Sequence, residues 1–189
     1  MASKFDYCDL FDGVFAVTCT EENFLVDPQR FELLDFHLVP HDSPFDHYFG
    51  PPNLGFVCRF CQKLSAQRIA RTKSILAVLS SDNPAWLTNK VFLLGAYMIL
   101  QLGSDVPSVI RILEPFTPLL VPYCNSPVGS ASFDLHVQDC LWALFRAREV
   151  GWSDIGCFDV DEYEELNSSL NADLNQVSRQ PSYPYADFD

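Results

Sequence analysis

At 189 residues, nearly half of them hydrophobic and 16 of them Phe, the chain can bury a single-domain core without disulfide or metal staples. A formal net charge of -13 argues against nucleic-acid binding, because phosphate recognition needs clustered Lys and Arg. No run of 18 apolar residues is present to cross a membrane, and Met-Ala-Ser-Lys-Phe-Asp has no apolar signal-peptide core behind it, so an intracellular, cytoplasmic protein is expected.

In chain order, residues 1–10 read as a loose leader. Gly13–Thr18 and Phe31–Leu38 read as strands from their β-branched and aromatic content. Pro40–Pro52 is rich in turn formers. Asn53–Gln67 places Leu54, Val57, Cys58, Cys61 and Leu64 at a helical period, with Pro51 and Pro52 at its start. Ser74–Leu79 fits a buried central strand, broken by Ser81-Asp-Asn-Pro84. A helix from about Trp86 to Leu102, ending at Gly103, is apolar on nearly every face and belongs inside the domain.

Pro107 opens a short helix through Leu113, and Glu114–Pro127, with four prolines, is irregular. Ser132–Val150 reads as an amphipathic helix with Phe133, Val137, Cys140, Leu141, Leu144 and Phe145 on one face. Asp159-Val-Asp-Glu162 resembles a capping box opening a last acidic helix. Beyond Leu166 the chain becomes polar and then Tyr/Pro-rich. The expected organisation is a leader (1–10), one domain (11–166) and a tail (167–189). Alternating strands and helices point to an α/β domain with a central, mostly parallel sheet flanked by helices in three layers.

The charge is unevenly spread. Residues 1–57 hold ten acids against Lys4 and Arg30, residues 58–153 hold nine bases and six acids, and residues 154–189 hold nine acids against Arg179. The basic group Arg59, Lys63, Arg68, Arg71, Lys73 and Lys90 suits either an acidic partner or a solvated face. The acids from Asp159 to Glu165 suit either a basic partner or helix N-terminal charges stabilised by the helix dipole.

Several stretches together resemble the cell-division-cycle-fourteen type of dual-specificity protein phosphatase. They are Tyr48-Phe-Gly-Pro-Pro-Asn-Leu54 leading into the Cys58/Cys61 helix, Phe92-Leu-Leu-Gly-Ala-Tyr-Met-Ile99, Gly129-Ser-Ala-Ser-Phe133, Asp139-Cys140 and Phe158-Asp-Val-Asp-Glu-Tyr-Glu164. Asn171-Ala-Asp-Leu-Asn175 fits that family's link between two phosphatase-like domains, although Gln176 and Arg179 stand in the region where the family has a Trp and a Pro. The resemblance, over roughly residues 13–175, is to the first domain, which has the phosphatase fold but no catalytic residues. It implies a groove role for Asp161, Glu162, Tyr163 and Glu164, with Glu165 beside them, favouring Lys or Arg after a phosphorylated site. The family's cytoskeletal, ciliary or cell-cycle settings follow only by analogy.

A cysteine phosphatase needs His-Cys, five loop residues and Arg between a central strand and a helix, with glycine where backbone meets phosphate. The corresponding stretch, Ser80-Ser-Asp-Asn-Pro-Ala-Trp-Leu-Thr-Asn-Lys90, has no Cys, Arg or Gly. Ser80, Ser81, Asp82 and Lys90 therefore mark a degenerate phosphate-loop position, with Asp82 adding negative charge where the anion would sit. Cys140-Leu-Trp-Ala-Leu-Phe-Arg146 matches the Cys-to-Arg spacing, but its apolar residues continue a helix whose N–H groups are already bonded. Cys58 and Cys61 have metal-ligand spacing without a second pair, and His37, His41 and His47 have no spacing that converges them. His136 reads as a hydrogen-bonded structural residue. With no Gly-rich nucleotide loop either, no metal or cofactor is expected.

The composite expectation is a non-catalytic phosphatase-like interaction or structural module in a larger assembly, binding protein partners or basic peptides. The alternative is the substrate-selecting half of a phosphatase whose catalytic half is separate or absent.

Overall fold

The structure, a computed structural model, describes residues 6–19, 26–36, 49–123, 134–151 and 158–166. Contacts divide the chain into two units, Met1–Phe158 and Asp159–Asp189, so the division falls before the acidic helix that the sequence reading kept inside the domain.

The sheet of the first unit is built from β1 (Cys8–Phe11), β2 (Val14–Cys19), β3 (Phe31–Leu33) and β4 (Ser74–Ser80). Their order is β1-β2-β4-β3, with β4 parallel to both neighbours and β1 antiparallel to β2. Residues 8–10 are therefore strand, not leader. Asp12-Gly13 between them and β2 is a hairpin turn, and Gly13 takes φ 71°, which glycine adopts without a Cβ clash. A Cβ at Gly13 would also lie 3.0 Å from the Arg71 guanidinium carbon. The expected strand from Phe31 to Leu38 is shorter, and its residues 37 and 38 lie outside the described ones.

Among the described residues, five α-helices follow the expected order: α1 (Leu54–Ala70), α2 (Pro84–Leu100), α3 (Val106–Leu113), α4 (Val137–Glu149) and α5 (Val160–Leu166), with a 3₁₀ helix over Glu114–Leu119. Each of the first three begins at a side-chain cap. Asn53 accepts from Phe56 N–H at 2.8 Å, Asn83 from Trp86 N–H at 3.1 Å and Asp105 from Ser108 N–H at 2.9 Å. Helix α4 starts at Val137, five residues later than expected. Leu135 is spent in an antiparallel bridge to Tyr123, and the Asp139 carboxylate accepts the His136 N–H, fixing the first turn there.

One large core joins the Val14, Ala16, Ile75, Ala77 and Leu79 face of the sheet to α1, α2, α3 and α4. Helix α2 packs on β4 and on α3 and α4, so its residues from Leu87 through Ile99 are buried apart from partly exposed Asn89 and Lys90. The mostly parallel sheet and the helices sharing its core are consistent with a three-layer phosphatase-like α/β domain. The opposite sheet face carries a smaller cluster of Val17, Phe31 and Leu76, joined by Tyr7, Phe15, Val26 and Val78.

Two features fix α2. Gly95 lets α4 approach, because a Cβ there would come within 2.8 Å of Leu141 Cδ2 and 3.1 Å of Leu113 Cδ1. At its C-terminal end, Arg148 of α4 donates from Nη1 to the Ile99 carbonyl at 2.6 Å, supplying a cation where the helix dipole favours one. Gly103, with φ 69°, then turns the chain toward α3.

A polar cluster ties the hairpin to the helices. Tyr97, 1% exposed, shares its hydroxyl with Ser65 at 3.2 Å and accepts from Arg68 Nη1 at 2.9 Å. Arg68 and Arg71 both pair with the Asp12 carboxylate, at 3.0 and 3.1 Å. Their hydrogen bonds, first from Arg68 and then from Arg71, hold the Asp12 carboxyl below its ordinary 3.8.

Gly95→Val is expected to lower stability by about 1–3 kcal/mol through overpacking against Leu141 and Leu113, read as a shift in urea midpoint. Because folding lowers the Asp12 pKa, this carboxylate stabilises the fold above its ordinary 3.8, and the contribution fades as pH falls through the lowered value. Urea midpoints of the wild type and Asp12→Asn, compared from neutral to strongly acidic pH, are expected to differ at neutral pH and to converge at the acid end.

Candidate functional site

The carboxyl ends of parallel strands, beside the turn into the next helix, are where α/β sheets hold ligands. Here that position is the turn from β4 into α2. Ser80 ends the strand, and Ser81 N–H donates to the Cys19 carbonyl at 3.0 Å, extending the β2–β4 pairing. Ser80 Oγ donates to Asp82 Oδ2 at 3.1 Å and accepts from Asp82 N–H at 3.3 Å. Asn83 caps α2 by accepting from Trp86 N–H, and Pro84 has no N–H to offer. The N–H groups of Ser81, Asp82 and Trp86 are thus bonded within the chain, and a carboxylate sits in the turn.

Lys90 lies one and a half helical turns further along α2. Its Nζ donates to the Val78 carbonyl at 3.1 Å and stands 5.3 Å from the Phe36 ring centroid. With Cys19, Leu33, Asp35, Phe36 and Ser80 it lines a cavity of about 450 Å³. The structure therefore brings Ser80 and Lys90 to one cavity, with Ser81 and Asp82 in the adjoining turn. Sequence reasoning did not single out Cys19, Asp35 or Phe36. They sit in no motif, and only strand register brings them to this place.

Other candidates resolve into structure. Cys140 is inside α4, and burial first, then the Asp139 charge, pushes its thiol up to about 11. A phosphatase nucleophile needs the opposite shift. Cys58 and Cys61 are buried on α1; desolvation lifts Cys58 to about 11 and Cys61 further. Among the described residues, no group of three or more His, Cys, Asp or Glu is placed to hold a metal. His37, His41 and His47 lie outside those residues, while His136 is the N-cap of α4. No described helix is long and apolar enough to cross a membrane.

The basic group is largely committed inside the chain. Lys63 pairs with Asp35 at 2.7 Å, Arg68 and Arg71 with Asp12, Lys73 donates to the Pro28 carbonyl at 2.6 Å, and Lys90 to Val78. These partners lie up to 59 residues away, which is why the sequence alone shows only a cluster of cations.

In the second unit, Asp161, Glu162, Glu164 and Glu165 all stand on α5. Asp161, Glu162 and Glu165 are exposed, whereas Tyr163 and Glu164 are half-buried. Asp159 Oδ1 accepts from the N–H groups of Asp161 and Glu162, both at 3.0 Å, which is the N-cap half of the expected capping box.

A mostly parallel sheet with a central strand, turn and buried helix is the layout of a phosphatase-like α/β domain. A family profile described as the N-terminal half of dual specificity protein phosphatases matches residues 29–147, and the chain belongs to that family. Among its relatives, dual specificity protein phosphatase CDC14C of Homo sapiens is 32% identical over 136 residues, covering 70% of this chain and 30% of that protein. Tyrosine-protein phosphatase CDC14 of Candida albicans is 32% identical over 153 residues, 78% of this chain and 28% of that one. Dual specificity protein phosphatase CDC14B of Mus musculus is 31% identical over 132 residues, 68% and 27%. The chain thus spans less than a third of the length of these relatives.

A thiol at about 11 holds about a hundred-fold less thiolate at neutral pH than one at its ordinary 9.0. Alkylation of Cys140 by iodoacetamide at pH 7.5, followed by peptide mass spectrometry, is therefore expected to be slower than that of a free model thiol by about that factor or more.

Proposed function

We propose that this chain is a non-catalytic phosphatase-like module that acts by binding other proteins within a larger intracellular assembly. The observation that carries this reading is the β4–α2 turn. Its sequence, Ser80 to Lys90, has no Cys, Arg or Gly, and its Ser81, Asp82 and Trp86 N–H groups are used internally. Anion binding by such a turn depends on several N–H groups converging on one point. Here Asp82 places a charge that repels phosphate instead. A cytoskeletal or ciliary setting is part of the proposal on family analogy alone.

The acidic helix favours a second reading, the substrate-selecting half of a phosphatase. Four of the seven residues of α5 are acidic, and they stand where the family resemblance implies a groove for Lys or Arg beside the phosphorylated residue. The two readings are compatible in one respect: neither asks this chain to break a phosphoester bond.

Two assays separate them. The pure chain is expected to release no phosphate from phosphoserine, phosphothreonine or phosphotyrosine peptides above the buffer rate. Release that is lost on changing one named residue would overturn both readings. If a phosphatase catalytic domain is then added, the selecting reading expects faster turnover of peptides with Lys or Arg after the phosphosite. It also expects Glu162→Gln with Glu164→Gln to remove that gain. Unchanged turnover leaves the assembly reading, for which sedimentation of the endogenous protein in a large, salt-stable particle is the expected result.

A further inference from the structure

Helix α4 buries one face and leaves the other to solvent. Val137 and Leu141 lie in the core, with Leu144 and Phe145 partly buried against it. On the far side Asp139, Trp142, Ala143 and Arg146 are all exposed, Trp142 by 49%. At 3.6 residues per turn these four fall on one stripe with the i, i+3, i+4, i+7 spacing of a helix–helix seam. A large apolar ring at the middle of such a stripe is the kind of anchor found at protein interfaces.

The arrangement is its own complement. Trp142 sits beside the small Ala143, and the pair is bracketed by opposite charges, Asp139 on one side and Arg146 on the other. Arg146 makes no ion pair with any described residue. Asp139, an exposed residue, uses one oxygen to accept the His136 N–H at 2.9 Å, and a carboxylate has acceptor capacity for a further partner. A two-fold axis passing between residues 142 and 143 sets Trp142 over the second copy's Ala143. The same axis sets Asp139 against the second copy's Arg146, and it does so twice. An unrelated partner would not require charges placed symmetrically about a ring and a hole. An isologous contact matches that arrangement, because each group then meets its complement on the second copy.

We propose that the exposed stripe of α4 is a docking surface for a second copy of this chain, the two helices crossing antiparallel about Trp142 and Ala143. This pairing uses none of the residues of the β4–α2 turn or of α5.

The test is sedimentation equilibrium of the full chain over a wide concentration range. The mass is expected to rise from 21.4 kDa toward twice that value. Arg146→Glu and Asp139→Lys are each expected to weaken pairing at least about ten-fold, because like charges then face each other. An equimolar mixture of the two variants is expected to pair again, since the reversed charges match, and circular dichroism checks that each is folded. If Asp139→Lys disturbs the helix start, Ala143→Trp, which sets ring against ring, is the second disruptive variant. A mass that stays at 21.4 kDa overturns the proposal. So does pairing that ignores both Arg146→Glu and Trp142→Ala, or a mixture of folded charge variants that fails to pair.

Discussion

Helix α2 carries apolar side chains around its whole circumference, and the rest of the first unit is arranged to keep them from water. Fully burying one Leu or Ile contributes about 1.5–3 kcal/mol, so a helix with Leu87, Leu93, Leu94 and Ile99 on different sides must be covered on every side. The sheet and α1 cover one flank, α3 and α4 the other. Gly95 provides the close approach on the α4 side, and the Arg148 guanidinium satisfies a carbonyl at the helix end that would otherwise be left without a partner. Tyr97 brings a hydroxyl into this region, where Ser65 and Arg68 match it, and the buried Thr88 hydroxyl donates to the Pro84 carbonyl and accepts from Val121 N–H.

This construction also places the site. A buried helix entered directly from a central strand puts its N-terminus at the carboxyl edge of the sheet, where related folds bind anions. The backbone layout for such a site is present, but the side chains work against it. Asp82 adds negative charge, Ser80 and Asn83 take up N–H groups, and the Lys90 ammonium reaches the Val78 carbonyl. A phosphate-binding turn gains from leaving its donors unsatisfied until the ligand arrives. This turn satisfies them within the chain, which stabilises the apo state and removes the driving force for binding.

Much of this was legible from residues alone. The helical period of Asn53–Gln67, the apolar run Ser74–Leu79, the all-round apolar helix ending at Gly103 and the Asp159 cap all stand close to where local pattern places them. Their signals are short-range: caps, breakers and periodicity. What local pattern missed depends on distant neighbours. Asp12-Gly13 is a hairpin signal, but β1 is only four residues long, and local pattern alone leaves its first three residues in the leader of residues 1–10. The start of α4 moved because Leu135 finds a partner in Tyr123. The basic group looked like a surface patch until the fold brought Asp12, Asp35 and Pro28 to it. The cavity beside Lys90 is assembled from three strand ends, and no window of sequence contains it.

The family assignment fixes the kind of domain, while the function proposed for this chain rests on the chemistry of one turn. The most direct measurement is therefore a titration of the labelled chain with phosphate, vanadate and tungstate, following the backbone amide resonances of Ser80, Ser81, Asp82 and Asn83. The account expects these resonances to stay in place at millimolar oxyanion, apart from small, unsaturating salt effects. Saturable shifts centred on these four residues would show an anion seated at the head of α2, and would contradict the account.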